Sequence, residues 1–443
     1  MKLWEKGLAV DAAVERFTVG NDRAMDARLA LWDVVGSIAH VHMLGETGLI
    51  SMLDAERLVH ALRELHYELS DVSIRIPDDM EDVHSWIEAL LTERLGDAGK
   101  RVHTARSRND QVLVDIRLFL RDALRGIARD TERLARTLLA LGTRHRDVLL
   151  PGYTHLQVAM PSSFGLWFGA HAESLADDLL SVDAAYRVVD RNPLGSGAGY
   201  GSSFPIDRTR TTELLGFAGM NRSSVYAQMT RGKVERVVAQ SLSGIAATLA
   251  RLAADLCLFA SQNFAFVRLP DAFTTGSSLM PHKRNPDVFE LVRARCNRVQ
   301  GVCTQISLVT ANLPSGYHRD MQLLKEILFP ALDDLADCLT ILPPALAQIE
   351  VRTGIMDDDL YRDAFSVVAV QQRVTAGEPF RDAYRAVAAS LADGTFTAPD
   401  GAAYTHEGSI GNPGLDEIAA HLDAVMGGFR FEVAERALQE LLA

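Results

Sequence analysis

KVERVVAQSLSGIAATLARLAADLCLFASQ, residues 233–262, decides the architecture. Val234, Val237, Val238, Leu242, Ile245, Leu249, Leu252, Leu256 and Phe259 recur at helical spacing, and no proline interrupts them. The positions between are mostly Ala, Ser and Gly, so several faces of this helix can be buried together. A helix apolar nearly all round belongs inside a large bundle or at a subunit interface. Outward from it, Asp110 to about Arg146 and Ser162 to Asp190 are long periodic runs that precede it. Asp287 to Asn312 and Met321 to Ile349 follow it. Strand-type alternation is scarce. The reading is an all-α protein around an elongated bundle whose long helices pack antiparallel or nearly so. Shorter helices broken by Gly45, Gly48, Pro77 and Gly96 come before the bundle, and others, with loops around Gly377 to Pro379 and Thr397 to Pro413, come after it. The expected division is an N-terminal helical domain over 1–105, a central long-helix bundle over 106–351 and a small C-terminal helical domain over 352–443. No internal repeat or low-complexity tract stands out.

A chain of 443 residues is long enough for two or three domains. Its 48% hydrophobic and 23% charged residues are the balance of a globular protein. A formal net charge of -13 argues against general nucleic-acid binding, which needs basic surface, but leaves room for a local basic pocket. The start MKLWEKGLAV has no long apolar run, so no signal peptide is expected. No apolar run elsewhere reads as a membrane span. Cys257, Cys296, Cys303 and Cys338 lack paired or metal-type spacing, which fits reduced core thiols in a cytoplasmic protein.

Three polar clusters carry the chemistry. Thr275-Gly276-Ser277-Ser278-Leu279-Met280-Pro281-His282-Lys283-Arg284-Asn285-Pro286 combines a glycine, hydroxyls, basic side chains and an amide. Pro286 suits a first helical position and Asn285 the cap before it. A loop feeding a helix start presents free N–H groups and positive dipole to an anion. The segment therefore reads as a mobile anion-binding loop with Ser277 or Ser278 as nucleophile or base; a polar turn with a helix cap fits its residues as well. The second cluster, His103 to Gln111, precedes a long helix with two arginines, hydroxyls and an amide, a suitable cradle for carboxylates. Capping accounts for Asn109 or Asp110, but not for that density of donors. The third, Pro151-Gly152-Tyr153-Thr154-His155-Leu156-Gln157, holds the histidine best placed for proton transfer. A lone histidine at a helix junction is more often structural; the two companion clusters favour the catalytic reading. The run Gly195 to Gly201 is preceded by a helix and followed by Phe204-Pro205, so it is no dinucleotide loop; close packing or a substrate-facing loop fits it.

These segments resemble the fumarase/aspartase superfamily of lyases, and within it the argininosuccinate lyase family. GSSLMPHKRNP is similar to the superfamily signature loop, and HTARSRNDQV and PGYTHLQ to its two other signature regions. EDVHSWIEALL from Glu81 and PSGYHRDMQLLKE from Pro314 are similar too. The likeness covers nearly the whole chain and is weakest after about residue 355. It implies a three-domain lyase fold and a homotetramer with a shared helical core, each active site drawing on three subunits. It also implies trans elimination of argininosuccinate to arginine and fumarate, with no metal and no cofactor.

By the same resemblance Ser277 is the base, and His155 the acid or the residue that orders a water. An alternative assignment makes His155 the base, polarised by Glu290. Lys283 and Asn285 would stabilise the dianion formed when a proton leaves carbon beside a carboxylate. Ser107, Arg108, Asn109 and Thr154 would hold substrate carboxylates. Asp26 would meet the arginine moiety. Tyr317, Gln322 and Lys325 would surround its amino-acid end and the fumarate carboxylate. His84 would lie on the substrate side, although a helix-start role suits it equally. The chain departs from the family pattern at Leu3 to Gly7, at Asp22 (commonly Ser), Ala105 (Gly), Gly232 (Asp) and His318 (Asn). Those near the arginine end bear on specificity rather than on elimination. The near rival is adenylosuccinate lyase, whose loop often reads MPHKRNP, but no phosphate-binding residues are identifiable here. A non-catalytic crystallin-like homologue is the other, against which the retained Ser277, His155, Lys283 and Asn285 argue.

Overall fold

The computed structural model describes residues 12–399 and 404–443. The family departure at Leu3 to Gly7 lies outside the described residues. The chain is mostly helical, as its periodicity implies. The longest helix, Arg108–Arg144, runs 37 residues, about 55 Å at 1.5 Å per residue. It packs against Phe164–Val189, which packs in turn on Lys233–Phe259. That central helix also packs against Asp287–Gln300 and Leu323–Leu346. Val234, Val238, Leu242, Ile245, Leu249, Leu252 and Leu256 are all buried, as are Ala239, Ala246 and Ala253 between them. The small residues let neighbouring helices approach on more than one side. By length and composition alone this helix could cross a membrane, contrary to the sequence expectation; half of its most apolar stretch is buried inside the protein.

Two expectations need correction. The run Asp287 to Asn312 is two helices, Asp287–Gln300 and Val302–Val309, which meet at Gly301. The link between the first two long helices is an antiparallel hairpin, Leu149–Thr154 with Gln157–Ser163, with a bulge between Gly152 and Tyr153. Its strands are too short and too irregular in polarity to show as alternation.

A second apolar core joins the helices Ala30–Glu46, Met52–Ser70 and Val83–Leu95 to Val114 and Leu118 at the start of the longest helix. A third small cluster packs Val370, Ala383 and Val387 of the helices after residue 366 with Phe396 of the segment that follows them. The chain then returns: Leu415–Gly427 packs on the bundle, and Phe431–Leu442 on Ala30–Glu46. Gly169 permits the first of these contacts, since a Cβ there would stand 2.9 Å from Leu415 Cδ2. All four cysteines are free thiols; Cys296 and Cys338 are buried and Cys257 and Cys303 half-buried.

Leu249 is fully buried on the central helix. Leu249→Ala is expected to cost about 2–5 kcal/mol through lost burial and a residual cavity. Urea denaturation at fixed protein concentration measures it; an unchanged midpoint would reject this core assignment.

Candidate active site

Five sequence-distant segments meet in a cleft of about 160 Å³. Asp22 and Asp26 come from the short helix Asp22–Ala27. Glu81, Asp82 and His84 stand at the start of Val83–Leu95. Arg108 and Asn109 open the longest helix, and Arg231 precedes the central one. Tyr317, Arg319, Gln322 and Lys325 lead into Leu323–Leu346. Helix starts thus converge on one hollow, where unpaired N–H groups and positive dipole ends favour an anion. Of the sequence-predicted binding residues, the cleft gathers Asp26, His84, Arg108, Asn109, Tyr317, Gln322 and Lys325.

Local chemistry explains the placement. Asp82 caps its helix by accepting from the Ser85 N–H (2.7 Å). Ser107 is the cap of the longest helix: its Oγ accepts from the Asn109 N–H (3.2 Å), and Asp110 accepts from the Ser107 N–H (2.9 Å) to close a capping box. The expectation of Asn109 or Asp110 as the cap is corrected by two or three residues. Asp110 Oδ2 also accepts from the Gly195 and Gly197 N–H groups (both 2.9 Å), which folds the glycine-rich connection onto the same corner. Gly197 has φ +60, and a Cβ there would meet the Gly201 carbonyl at 2.8 Å, so this run serves close packing. Ala105, where the family commonly has glycine, holds φ +58, a left-handed conformation costing roughly 1–2 kcal/mol for a residue with a Cβ. Gly232 has φ +76 and no room for a Cβ, which would stand 2.5 Å from Thr310 Cγ2.

The cleft balances charge. Lys325, 5% exposed, pairs with Asp22 (2.6 Å) and with Asp26. Burial alone would lower its pKa, but the Asp26 and Asp22 carboxylates hold it above the ordinary lysine value. Asp22 is raised by burial and by Asp26, against the pull of Lys325. Arg108 meets Asp82 (3.0 Å) and Glu81 (3.4 Å) and donates to Ser85 Oγ (2.8 Å). Gln322 spends its N–H groups on the Thr18 and Val19 carbonyls (3.0 and 3.1 Å), while its buried Oε1 has no protein donor. That oxygen is available to accept from a cationic or N–H-bearing ligand. Asp22, Arg231, Glu81, Asp82 and Arg319 were not among the expected binding residues, although Asp22 and Gly232 next to Arg231 had been noted as departures.

The remaining expected residues lie on two projections. The signature loop is a small hairpin in which Thr275-Gly276 pairs with Arg284-Asn285. Ser277 Oγ accepts from the Met280 and Leu279 N–H groups (3.1 and 3.3 Å). Lys283 is exposed. Asn285 donates to Thr275 Oγ1 (3.4 Å) and is held in the hairpin, so the helix cap falls to Pro286 and the expected cap shifts by one residue. Glu290, on the first turn of that helix, is exposed beside Arg293 (3.9 Å). Thr154, His155 and Leu156 form the exposed tip of the other hairpin. His155 (φ +54) and Leu156 (φ +57) are both left-handed. Two consecutive non-glycine residues in that region store strain, a feature common where a side chain must be presented. His155 borders a separate cleft of about 750 Å³ with Tyr153, Trp167, Asp255, Phe259 and Phe264. Neither cleft is lined by Ser277.

Beneath the charged cleft lies a buried polar network that sequence reading missed. Asp33 and Asp115 are both fully buried and flank His84. Gln111 donates to Asp33 (2.6 Å) and Arg106 to Ser37 (2.9 Å). The available signal was a lone acid inside an apolar run, in LALWDVVGSIA and in VLVDIRLFL.

A family model described as "Lyase" matches residues 6–301. Solved structures with the same helical fold include an EDDS lyase in complex with formate, at TM-score 0.76 and 20% identity over 98% of this chain and 94% of that one. Another is a fumarate lyase:delta crystallin from Brucella melitensis, at TM-score 0.71 and 18% identity over 92% of each chain. An argininosuccinate lyase from Parabacteroides distasonis is 53% identical over 100% of this chain and 99% of its own length. Argininosuccinate lyases from Bacteroides thetaiotaomicron (53%; 99% of each chain) and Sorangium cellulosum (43%; 96% of this chain and 99% of that one) are similar along nearly the whole sequence. The chain belongs to this lyase family, and within it to the argininosuccinate lyases.

Lys325→Met leaves Asp22 and Asp26 uncompensated in a buried position. The expected loss is about 3–5 kcal/mol of stability. Chemical denaturation checks it, and a loss below about 1 kcal/mol would show that water reaches this pair.

Proposed function

We propose that the protein cleaves argininosuccinate reversibly to L-arginine and fumarate by trans elimination, as a step of arginine biosynthesis in the cytoplasm. The observation that carries this reading is the charge-balanced cleft at converging helix starts. Its substrate would bring two carboxylates at one end and an amino acid with a guanidinium group at the other. Arg108, Asn109, Ser107 and the helix starts suit the carboxylates. Asp26, Gln322 and Tyr317 suit the amino-acid end, with Asp22 added in this chain.

The hard step is removal of a proton from carbon beside a carboxylate, which builds an aci-carboxylate dianion. Lys283, Asn285 and the loop amides are the groups that would meet this charge. Ser277 is the base in this reading. An ordinary hydroxyl is a poor one; the two N–H groups that donate to Ser277 Oγ favour its alkoxide, against the opposing effect of burial from water on loop closure. His155 would serve on the leaving-group side, as acid or by ordering a water, with Thr154 beside it. A guanidine leaving group already carries positive charge, so little acid assistance is needed. In the alternative assignment His155 is the base, and Glu290 is the carboxylate that would polarise it.

Ser277, His155 and the cleft lie on different parts of one chain, and a homotetramer would unite them. In that arrangement each site takes the cleft, the hairpin tip and the signature loop from different subunits, with the central helix in a shared core. We propose boundaries near 105 and 351 between an N-terminal domain, the bundle and a C-terminal domain.

Purified protein incubated with argininosuccinate should release fumarate, followed by its absorbance, and should release none from adenylosuccinate; no fumarate from argininosuccinate refutes the reading. Ser277→Ala should lower kcat by about 10²–10⁴ with substrate still bound, and near-normal turnover would remove Ser277 as base. Inactive Ser277→Ala and His155→Asn chains, unfolded and refolded together, should regain part of the activity, because mixed tetramers contain some intact sites. No recovery from well-formed hybrids would refute sharing between subunits.

A further inference from the structure

His84 lines the cleft but is only 7% exposed, and its position is set from below. Its Nδ1 stands 3.1 Å from Asp33 Oδ1 and 3.5 Å from Asp115 Oδ2. Asp33 comes from the helix Ala30–Glu46 and Asp115 from the longest helix, two turns beyond Arg108. Both carboxyl groups are fully buried. Asp33 is held further by the Gln111 amide (2.6 Å), whereas neither oxygen of Asp115 has a hydrogen-bond partner. A buried carboxylate without hydrogen bonds is strongly unfavourable unless a charge compensates it or a proton neutralises it. No function assigned so far uses Asp33 or Asp115.

We propose that Asp33 and Asp115 are positioning residues of this site: from the floor of the cleft they hold His84 as an imidazolium, with Nδ1 engaged below and Nε2 left for a substrate carboxylate. This rests on the reading of the cleft as the substrate site.

The surrounding charges support it. His84 is faced by Asp33, by Asp115, by Asp82 on its own segment, by Asp26 and by His103, while Arg106 acts on Asp33 and Asp115. Burial lowers the His84 pKa, but Asp33 first, and then Asp82 and Asp26, hold it above the ordinary histidine value. Asp33 is kept below the usual carboxylate range; burial opposes this, and His84 and Arg106 outweigh it. Burial and then Asp33 push Asp115 well above that range, so it is the protonated member. The two nearby histidines behave oppositely. Burial and then Arg106 lower His40 to about 3 and His103 to about 4, so both are neutral. A cation at His84 offers a substrate carboxylate an N–H donor and does not act as a base.

The test is a double-mutant cycle on the intact enzyme, with fumarate release followed from about pH 6 to 10. Each variant is first matched to wild type by circular dichroism and Tm. His84→Gln should raise KM for argininosuccinate by about tenfold or more, as expected for loss of a charge-assisted hydrogen bond. Asp33→Asn should raise KM by a similar factor with a smaller fall in kcat. It should also move the high-pH decline of kcat/KM to lower pH. The sign follows because the imidazolium is lost as pH rises through its pKa, and removing Asp33 leaves burial to lower that pKa. In the His84→Gln background Asp33→Asn should change KM by less than about twofold, since it acts through the missing ring.

An equal effect of Asp33→Asn in both backgrounds, or an unmoved pH limb, overturns the proposal, as does a normal KM in His84→Gln. Where Asp33→Asn does not fold, the ring-nitrogen chemical shifts of His84 in wild-type enzyme at pH 7 carry the test, and a neutral ring overturns the proposal. Wild-type enzyme that releases no fumarate points instead to failure of the functional reading. The three ligand atoms of Asp33, His84 and Asp115 lie within 4.8 Å of one another. One divalent ion per chain in purified enzyme, with KM raised by its chelation, would put a metal in place of the proton and also overturn the proposal.

Discussion

Burial of the Lys233–Phe259 helix on several sides at once is the constraint on which the rest depends. Ala239, Ala246 and Ala253 stand between its larger apolar residues and are themselves buried. Close-packed interiors tolerate little variation in spacing, so such a helix fixes the helices around it along their length. The neighbours Phe164–Val189, Asp287–Gln300 and Leu323–Leu346, and the helix Arg108–Arg144 packed on the first and last of them, then have determined ends. Those ends bring the helix starts to one hollow. A rigid bundle can therefore hold polar residues from opposite parts of the sequence within hydrogen-bond distance.

The hollow tolerates its many charges because they cancel nearly pair by pair. Lys325 answers Asp22 and Asp26, Arg108 answers Asp82 and Glu81, and Arg231 answers Glu235 at 3.2 Å. Removing one partner would leave the other buried and unpaired, which is why such pairs specify geometry more than they add stability. Where cancellation is incomplete, a polar atom is left for a ligand. Gln322 Oε1 is one such atom, and His84 Nε2 is positioned as another. The departure at Asp22 adds an acid to the end that suits a cation, and Lys325 absorbs it.

Much of this was legible in the sequence. The long helices follow from spacing alone, and apart from the break at Gly301 their observed ends fall within a few residues of the expected ones. Seven expected binding residues share one cleft, since each stands in a polar segment beside a helix start. The misses have local causes. The six- and seven-residue strands of the hairpin carrying His155 are short and irregular in polarity, so no alternation registers there. The caps were misplaced because Ser107 and Pro286 compete with adjacent Asn and Asp residues, and only backbone geometry decides among them. Asp33 and Asp115 escaped notice because their chemistry lies in pairing with His84, 51 residues from Asp33 in the sequence.

By itself, the sequence determined the helical class, the approximate helix limits and the three polar segments, because periodicity, proline and glycine act over one or two turns. It also determined family membership, because the signature segments occur together and in order. Tertiary structure alone decided which charges pair, which polar atoms are left over and how far His155 and Ser277 stand from the cleft. Asp26 and Lys325 are 299 residues apart and meet only because the bundle returns the chain to its start. Contacts of that kind depend on the packing of whole helices, and no local pattern encodes them.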